Sequence, residues 1–304
     1  QRWKMLWNVE HAVLRQHKIM PFDVLHAIWA DETGYITNRI GRAIDVPSVV
    51  SIAGGELVSY KDLDYGLQRG TVTRWLVNQA LKQATQIVAP CIYSAQLTKI
   101  FLKFHHLPEN DRVNTVPLGV DTNLFNLPET DHRPIEFLHV ASLNPIKRQD
   151  MLLELVARMP GIRLDIVGGG KRRDYLKRLA VNLDIADRVI FHGEVAHDEL
   201  PAFYRSARWL LMTSQHEAFC MAAVEALACG AGVIGTAVGV IPEIGKFAPV
   251  DNLEALMAHI VSRPRNENTE TRRKRHELAK SLYSIENMTQ GLLQVYEKAV
   301  EIGR

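Results

Sequence analysis

Two glutamates with seven residues between them stand in the run Thr213-Ser-Gln-His-Glu-Ala-Phe-Cys-Met-Ala-Ala-Val-Glu-Ala-Leu-Ala-Cys-Gly230. The polar half reads as a loop that follows a strand, and the apolar half reads as a helix beginning near Phe219 or Cys220. The first N–H groups of a helix lack intrahelical acceptors and carry the positive end of its dipole, so such a start suits a diphosphate. Glu225 stands about five residues into that helix, roughly 7 Å along its axis. A carboxylate there could accept hydrogen bonds from the ribose of a nucleotide whose phosphates sit at the helix start. Glu217, on the loop, lies nearer the place of a sugar beyond the phosphates. A plainer reading stays open for the pair alone, with Glu217 a charge favourable to the dipole and Glu225 a surface residue.

Other residues offer weaker chemistry. Gly168, Gly169 and Gly170 follow an apolar run and could be a plain turn or a close backbone approach to a ligand. Without G-x-G-x-x-G spacing they are not a dinucleotide fingerprint. Asp62-Leu-Asp64 spells the D-x-D of metal-dependent transferases but sits in a Tyr- and Gly-rich loop, and we read it as coincidence. The basic runs Lys171 to Arg173 and Arg272 to Arg275 read as solvated helix faces, with contact to an anionic membrane or ligand as the alternative. The sequon at Asn287 carries little weight.

Short apolar runs alternate with helical patterns and must position these residues. Strands are expected at 24–29, 48–52, 86–89, 115–117, 136–141, 163–167, 188–192, 209–213 and 232–235. Helices are expected at 3–16, 71–84, 94–104, 148–159, 171–183, 254–261 and 285–302. Such alternation calls for parallel sheets covered by helices on both faces. Residues 118–134, with Gly119, Pro128 and Pro134, break the pattern and read as a hinge. Two domains and a tail follow from this: 1–130, lacking its first strands; 131–284, complete; and a last helix, 285–304, expected to pack back toward the first domain. In open α/β sheets ligands bind beyond the carboxyl ends of strands, so a cleft between two such domains is the default site.

The chain has 304 residues, 47% hydrophobic and 23% charged, which describes an ordinary globular protein with room for two cores. A net charge of +2 gives no footprint of nucleic-acid binding. Cys91, Cys220 and Cys229 form no metal-ligand pattern and suit buried thiols in a reducing compartment. No stretch reads as a membrane span or signal peptide, so a cytoplasmic protein is expected, at the inner face of the membrane if its acceptor is lipid-linked.

The setting of the two glutamates resembles the retaining family-four glycosyltransferases, where a Glu-x7-Glu element precedes Ala-Leu-Ala-Cys-Gly230, Val233-Ile-Gly-Thr and Gly239-Val-Ile-Pro-Glu243. Leu164-Asp-Ile-Val-Gly-Gly-Gly170, Val189-Ile-Phe-His-Gly193, Leu200-Pro-Ala-Phe-Tyr204 and Val116-Pro-Leu-Gly-Val-Asp-Thr-Asn-Leu-Phe125 extend the likeness, as do Glu286-Asn287 and Val295-Tyr296-Glu297 in the tail. The resemblance implies an α/β fold of two Rossmann-like domains (GT-B), the first incomplete. It implies transfer of a hexose from a nucleotide-diphosphate sugar to a carbohydrate or lipid-linked acceptor with retention, without metal or other cofactor.

On this resemblance Glu225 would bind the ribose, Glu217 the hydroxyls of the donor sugar, and the amides of Phe219, Cys220 and Met221 the phosphates. The base would lie near His192 to Val195. Lys147 would meet the diphosphate, with a solvated helix-start lysine as its plainer reading. The arginine usual before it is absent, Ser142 standing there, and Arg148 is the candidate substitute. Gly168 and Gly169 would approach the donor. Two departures limit the likeness. A histidine usually precedes the first glycine of Ala53-Gly-Gly-Glu56, and here Ala53 takes its place. His26 is a candidate replacement or a satisfied strand-end histidine, and Glu56 either an acceptor contact or a solvated loop residue. The likeness also leads us to expect a strand and a glycine-rich loop ahead of the first helix, about 70 to 100 residues more of chain. These departures keep in view a non-catalytic or split subunit that binds nucleotide sugar; a nucleotide-sugar epimerase of the same fold is a further alternative, though Glu217 and Glu225 in this setting favour transfer.

Overall fold

The computed structural model describes residues 2–108, 111–130, 132–249 and 268–303. The expected helix at 254–261 lies outside the described residues. The chain forms two compact units, one of residues 1–117 with 288–304, the other of residues 118–287.

The first unit opens with α1 (Arg2–Ile19) and runs through β1 (Leu25–Ile28), α2 (Glu32–Ile44), β2 (Ser48–Ser51), α3 (Thr71–Gln83), β3 (Gln86–Ala89), α4 (Ile92–Phe104) and β4 (Val113–Thr115). Its sheet is wholly parallel in the order β1-β2-β3-β4. Helices cover the sheet on one side through Val50, Val77, Ala80, Leu81, Ile87 and Leu102, all buried. On the other side Val49, Val88 and Val116 pack on Val295 and Ala299 of the last helix. β4 lies two residues earlier than expected, because Pro117 has no N–H for a ladder and the chain leaves the sheet at Val116.

The second unit contains β5 (Ile135–Val140), α5 (Gln149–Arg158), β6 (Leu164–Val167), α6 (Arg173–Asn182), β7 (Val189–Gly193), α7 (Leu200–Ser206), β8 (Ala207–Met212), α8 (Met221–Ala228), β9 (Gly232–Thr236), α9 (Ile241–Ile244), β10 (Lys246–Ala248) and α10 (Thr269–Tyr283). The helix α11 (Ile285–Gly303) ends the chain and carries the boundary between units. The sheet is parallel, in the order β10-β9-β8-β5-β6-β7. The chain therefore builds outward from β5 through β6 to β7, then returns to lay β8 on the other side of β5. That reversal between β5 and β8 is a topological switch point, where the loops leaving two neighbouring strands diverge and open a crevice. Leu152, Leu164, Leu176, Ile185 and Ile234 are among the fully buried residues of this core. β10, a short edge strand with Lys246 and Phe247 exposed, was not anticipated.

The basic run at 272–275 is not a uniformly solvated face. Arg272 is buried and donates to the carbonyls of Arg205 and Cys229, and the Arg275 guanidinium lies over the Trp209 ring. Arg172 in the other run faces Asp150 and covers the Tyr175 ring. Asp64 of the D-x-D pairs with Arg69.

Candidate functional site

The loops at the switch point in the second unit carry the residues singled out above. After β5 the chain makes a short helical turn, Pro145–Lys147, and Arg148 then adopts a left-handed backbone, φ 50°, before α5. Lys147 Nζ lies 2.5 Å from Glu217 Oε1. Glu217 sits on the loop after β8, so this pair joins the two strands that flank the switch point. Ser214 Oγ donates to the same carboxylate oxygen at 2.7 Å, and Thr236 Oγ1 holds the Ser214 carbonyl at 2.6 Å. Thr213 Oγ1 bonds the carbonyls of Lys147 and Arg148, and Gln215 N donates to Ile146 O. Burial alone pulls the Lys147 pKa down. The adjacent Glu217 carboxylate, with Cys220 and the direct hydrogen bond, outweighs that, and the net direction is up, so the lysine is a firm cation. Arg148 Nη1 donates to Gln215 Oε1 at 3.1 Å, and its Nε lies 3.6 Å from Asp150 Oδ1.

α8 begins at Met221, slightly later than expected. Cys220 caps it with φ 84° and ψ 73°, a left-handed backbone unusual outside glycine, and makes no side-chain cap bond. Phe219 and Cys220 are buried, whereas Met221 and Ala222 are half-buried. Among the described residues the amides of Met221 and Ala222 meet no acceptor, leaving an uncapped helix start. Gly239, with φ 60°, permits the closeness of the next loop, for a Cβ there would stand 2.4 Å from the Phe219 carbonyl. That carbonyl accepts from Val240 N at 2.7 Å.

Glu225 is 6% exposed, so it is not a surface residue. The Tyr204 hydroxyl, fully buried on α7, donates to its Oε2 at 2.8 Å, and His197 Nε2 stands 3.4 Å from Oε1. Burial first and the Glu225 charge second push the Tyr204 pKa well up, so this phenol stays a donor. His197 lies edge-on to Phe125.

The loops after β5, β6 and β7 interlock. Gly168 N donates to Gly193 O and Leu143 N to Gly169 O, each at 2.7 Å. A Cβ on Gly168, φ 131°, would meet Ala141 O at 2.0 Å, and one on Gly169 would strike the Glu194 side chain. These glycines therefore serve close packing between loops. Val195 follows on the loop after β7, half-exposed, and His192 pairs with Asp165 at 2.6 Å. Behind the site His139 is wholly buried in β5, its Nδ1 2.7 Å from Leu211 O, and burial lowers its pKa to about 4.

The first-unit candidates have other partners. The Glu56 carboxylate is buried and accepts from Ala53 N at 2.8 Å and Gly54 N at 2.6 Å, so it is not a solvated loop residue. Burial raises its pKa despite those amides. His26 has both ring nitrogens engaged, 2.8 Å from Tyr296 Oη and 2.8 Å from Ser51 Oγ, which is the satisfied strand-end arrangement. Gly54 lies against the Trp29 ring, closer than any Cβ would allow. All three cysteines are buried, and none forms a disulfide. Among the described residues no group of three His, Cys, Asp or Glu is placed to hold a metal ion, and no helix is long and apolar enough to cross a membrane.

Tyr204, His197, Ser214 and His139 were not singled out from the sequence. Tyr204 follows Phe203 in a run that reads as core, and nothing local marks its bond to a carboxylate 21 residues away.

Two parallel α/β units with a switch-point site define the GT-B class of fold. A sucrose-phosphate synthase from Thermosynechococcus elongatus superposes with a TM-score of 0.78 at 19% identity, covering 99% of this chain and 80% of that one. The Anabaena protein HepE in complex with UDP does so with a TM-score of 0.76 at 18% identity, covering 95% and 82%. In sequence, the D-inositol 3-phosphate glycosyltransferase of Mycobacterium tuberculosis (strain ATCC 25618 / H37Rv) is 31% identical over 228 residues, 64% of this chain and 45% of that protein. The chain thus spans about half the length of the curated relatives it matches. Residues 121–248, within the second unit, match the model of the glycosyl transferases group 1.

Proposed function

We propose that the second unit holds a nucleotide-diphosphate sugar at the switch point and that the enzyme transfers its hexose, with retention, to a carbohydrate or lipid-linked acceptor. The observation that carries this reading is the pairing of two fixed carboxylates around one open helix start. Glu217 is tied to Lys147 across β5 and β8, and Glu225 is locked by Tyr204 below the uncapped amides of Met221 and Ala222. Glu225 would accept from the ribose hydroxyls. The amides from Phe219 to Met221 would hold the diphosphate, those nearest solvent most directly. Gly168, Gly169 and Val195 would border the donor and its base. Glu217 would bind hydroxyls of the transferred sugar.

When the bond from the anomeric carbon to the phosphate oxygen breaks, the electron pair leaves with the nucleoside diphosphate. The Lys147 ammonium and the helix dipole would stabilise that developing charge, with Arg148 beside them. Preorganisation matters here, because groups fixed before reaction need not reorganise during it. The loop at Ala53 and Gly54 would serve the acceptor, with Glu56 shaping its amides and His26 supporting the strand end. A lipid-linked acceptor would bring the enzyme to the cytoplasmic face of a membrane, in keeping with three buried cysteines outside any disulfide.

UDP complexes among the structural neighbours make UDP the first nucleotide to test. Calorimetric titration with UDP, GDP and ADP should give binding to at least one, and no binding to any refutes the reading. Hydrolysis or transfer assays with the matching nucleotide sugars then test catalysis. A second reading, a non-catalytic or split subunit that binds nucleotide sugar, is favoured by Ala53 and by the full engagement of His26. Binding without turnover across those donors would select it.

A further inference from the structure

From Tyr65 to Pro108 the sequence contains no aspartate or glutamate, although the chain has 34 of them. The same stretch holds Arg69, Arg74, Lys82, Lys99 and Lys103, together with His105 and His106. It includes α4, whose inner face buries Ser94, Ala95, Thr98, Phe101 and Leu102. Its exposed residues, 92, 96, 99, 100, 103 and 104, recur at helical spacing and so form a single face. That face is not polar. Phe104 is 77% exposed and Ile100 65%, interleaved with Lys99 and Lys103. A groove of about 340 Å³ runs beside it, lined by Leu97, Ile100 and Phe104 from α4 and by Arg74 from α3. Among the described residues neither Lys99 nor Lys103 has an ion-pair partner.

Large apolar tips and unpaired lysines on one helical face need an environment that is apolar and anionic within a few ångströms. A protein interface is a poor match, since its core is depleted of lysine and would have to desolvate both ammonium groups. A nucleic-acid backbone would take the charges but give Ile100 and Phe104 nothing to bury against. The headgroup region of an anionic bilayer supplies both, with acyl chains for the side-chain tips and phosphates for lysines that extend back along their apolar stems. We propose that the outer face of α4, with Arg74 of α3 at its flank, docks the first unit onto an anionic membrane surface. This gives the membrane contact of the proposed function a definite location, yet it rests only on first-unit residues and needs no nucleotide.

The test is co-sedimentation of the full chain with vesicles of phosphatidylglycerol and phosphatidylcholine, against phosphatidylcholine alone. Partition onto the anionic vesicles only, falling as salt rises, is expected. Each lysine near such a surface contributes about fivefold in partition, so the double variant Lys99→Gln/Lys103→Gln should lose roughly 25-fold. The double variant Ile100→Ser/Phe104→Ser should lose about tenfold or more. All four side chains are exposed, so folding should be retained, and unchanged circular dichroism and nucleotide titration confirm that the loss is confined to docking. Absence of wild-type partition at low salt overturns the proposal, as does undiminished partition of both double variants. A change of oligomeric state in Ile100→Ser/Phe104→Ser without a change in partition also overturns it, assigning the face to a second copy. Failure of nucleotide titration with intact vesicle binding would instead count only against the second-unit reading.

Discussion

Tyr204→Phe isolates the contact that distinguishes a ribose-binding Glu225 from a merely buried one. The phenol is fully buried and spends its only hydroxyl proton on Glu225 Oε2 at 2.8 Å. Phenylalanine fills the same ring volume, so the loss is confined to one hydrogen bond to a charged acceptor, about 1.5–3 kcal/mol. Part of that will appear as lost stability. If about 1.4 kcal/mol reappears in the nucleotide complex, because the carboxylate is no longer pinned toward the ribose, the dissociation constant for UDP rises about tenfold. The assay is a double-mutant cycle by calorimetry over wild type, Tyr204→Phe, Glu225→Ala and the pair, with urea unfolding of each in parallel. Tyr204→Phe should weaken UDP binding in the wild-type background and leave it unchanged once Glu225 is alanine. If Tyr204→Phe loses stability but binds UDP as the wild type does, the hydroxyl only fills the core and the positioning role is refuted.

Three further outcomes are expected. His139, with its pKa lowered to about 4 by burial against 6.5 in an unfolded chain, contributes no loss of stability above pH 6.5, where neither state is protonated. As pH falls below that value only the unfolded chain takes up the proton, so stability drops by about 2 kcal/mol at pH 5; urea titrations at both pH values should show this component missing in His139→Leu, and equal losses in both proteins would contradict it. Glu56→Ala strips the acceptor from two loop amides and should destabilise the first unit by about 1–3 kcal/mol while leaving UDP affinity in the second unit unchanged. Gly239→Ala places a Cβ 2.4 Å from the Phe219 carbonyl at a left-handed φ, so both thermal stability and nucleotide affinity should fall, and a variant that binds normally would show that the Phe219 loop is not part of the site.

Much of the fold was legible because its strands are short, apolar and punctuated. Gln86–Ala89 is fully buried and bounded by Thr85 and Pro90, and its limits were read correctly from residues alone. The two glutamates could be singled out because each lies within a few residues of the start of α8, whereas Lys147 was singled out only through the family resemblance of its segment. What escaped notice depends on contacts between distant residues. The start of α8 is displaced to Met221 because the Phe219 carbonyl is taken by Val240 N, which no local pattern announces. Arg272 looked like surface charge in a basic run, but its guanidinium meets carbonyls from two other elements. Glu56 read as either an acceptor contact or a solvated loop residue, whereas its carboxylate organises the amides of Ala53 and Gly54.

The backbone around the switch point is strained in a pattern that bears on function. Arg148, φ 50°, and Cys220, φ 84°, are both left-handed without being glycine, and they stand at the starts of α5 and α8, the helices that follow β5 and β8. Each such residue costs about 1–2 kcal/mol. Serine, threonine or aspartate in an ordinary cap would avoid that cost and also satisfy an orphan amide. Here the surroundings hold the strain in place instead, with Thr213 Oγ1 on the Arg148 carbonyl, Thr236 Oγ1 on Ser214 and Val240 N on Phe219. The local result is a start of α8 whose amides at Met221 and Ala222 meet no acceptor among the described residues, in a site that also holds a fixed cation at Lys147 and a fixed carboxylate at Glu225. A helix needed only for packing gains nothing from an open start. One that receives an anion gains an unoccupied set of donors already aligned with the dipole, so the same feature that weakens the fold locally is what a diphosphate would require.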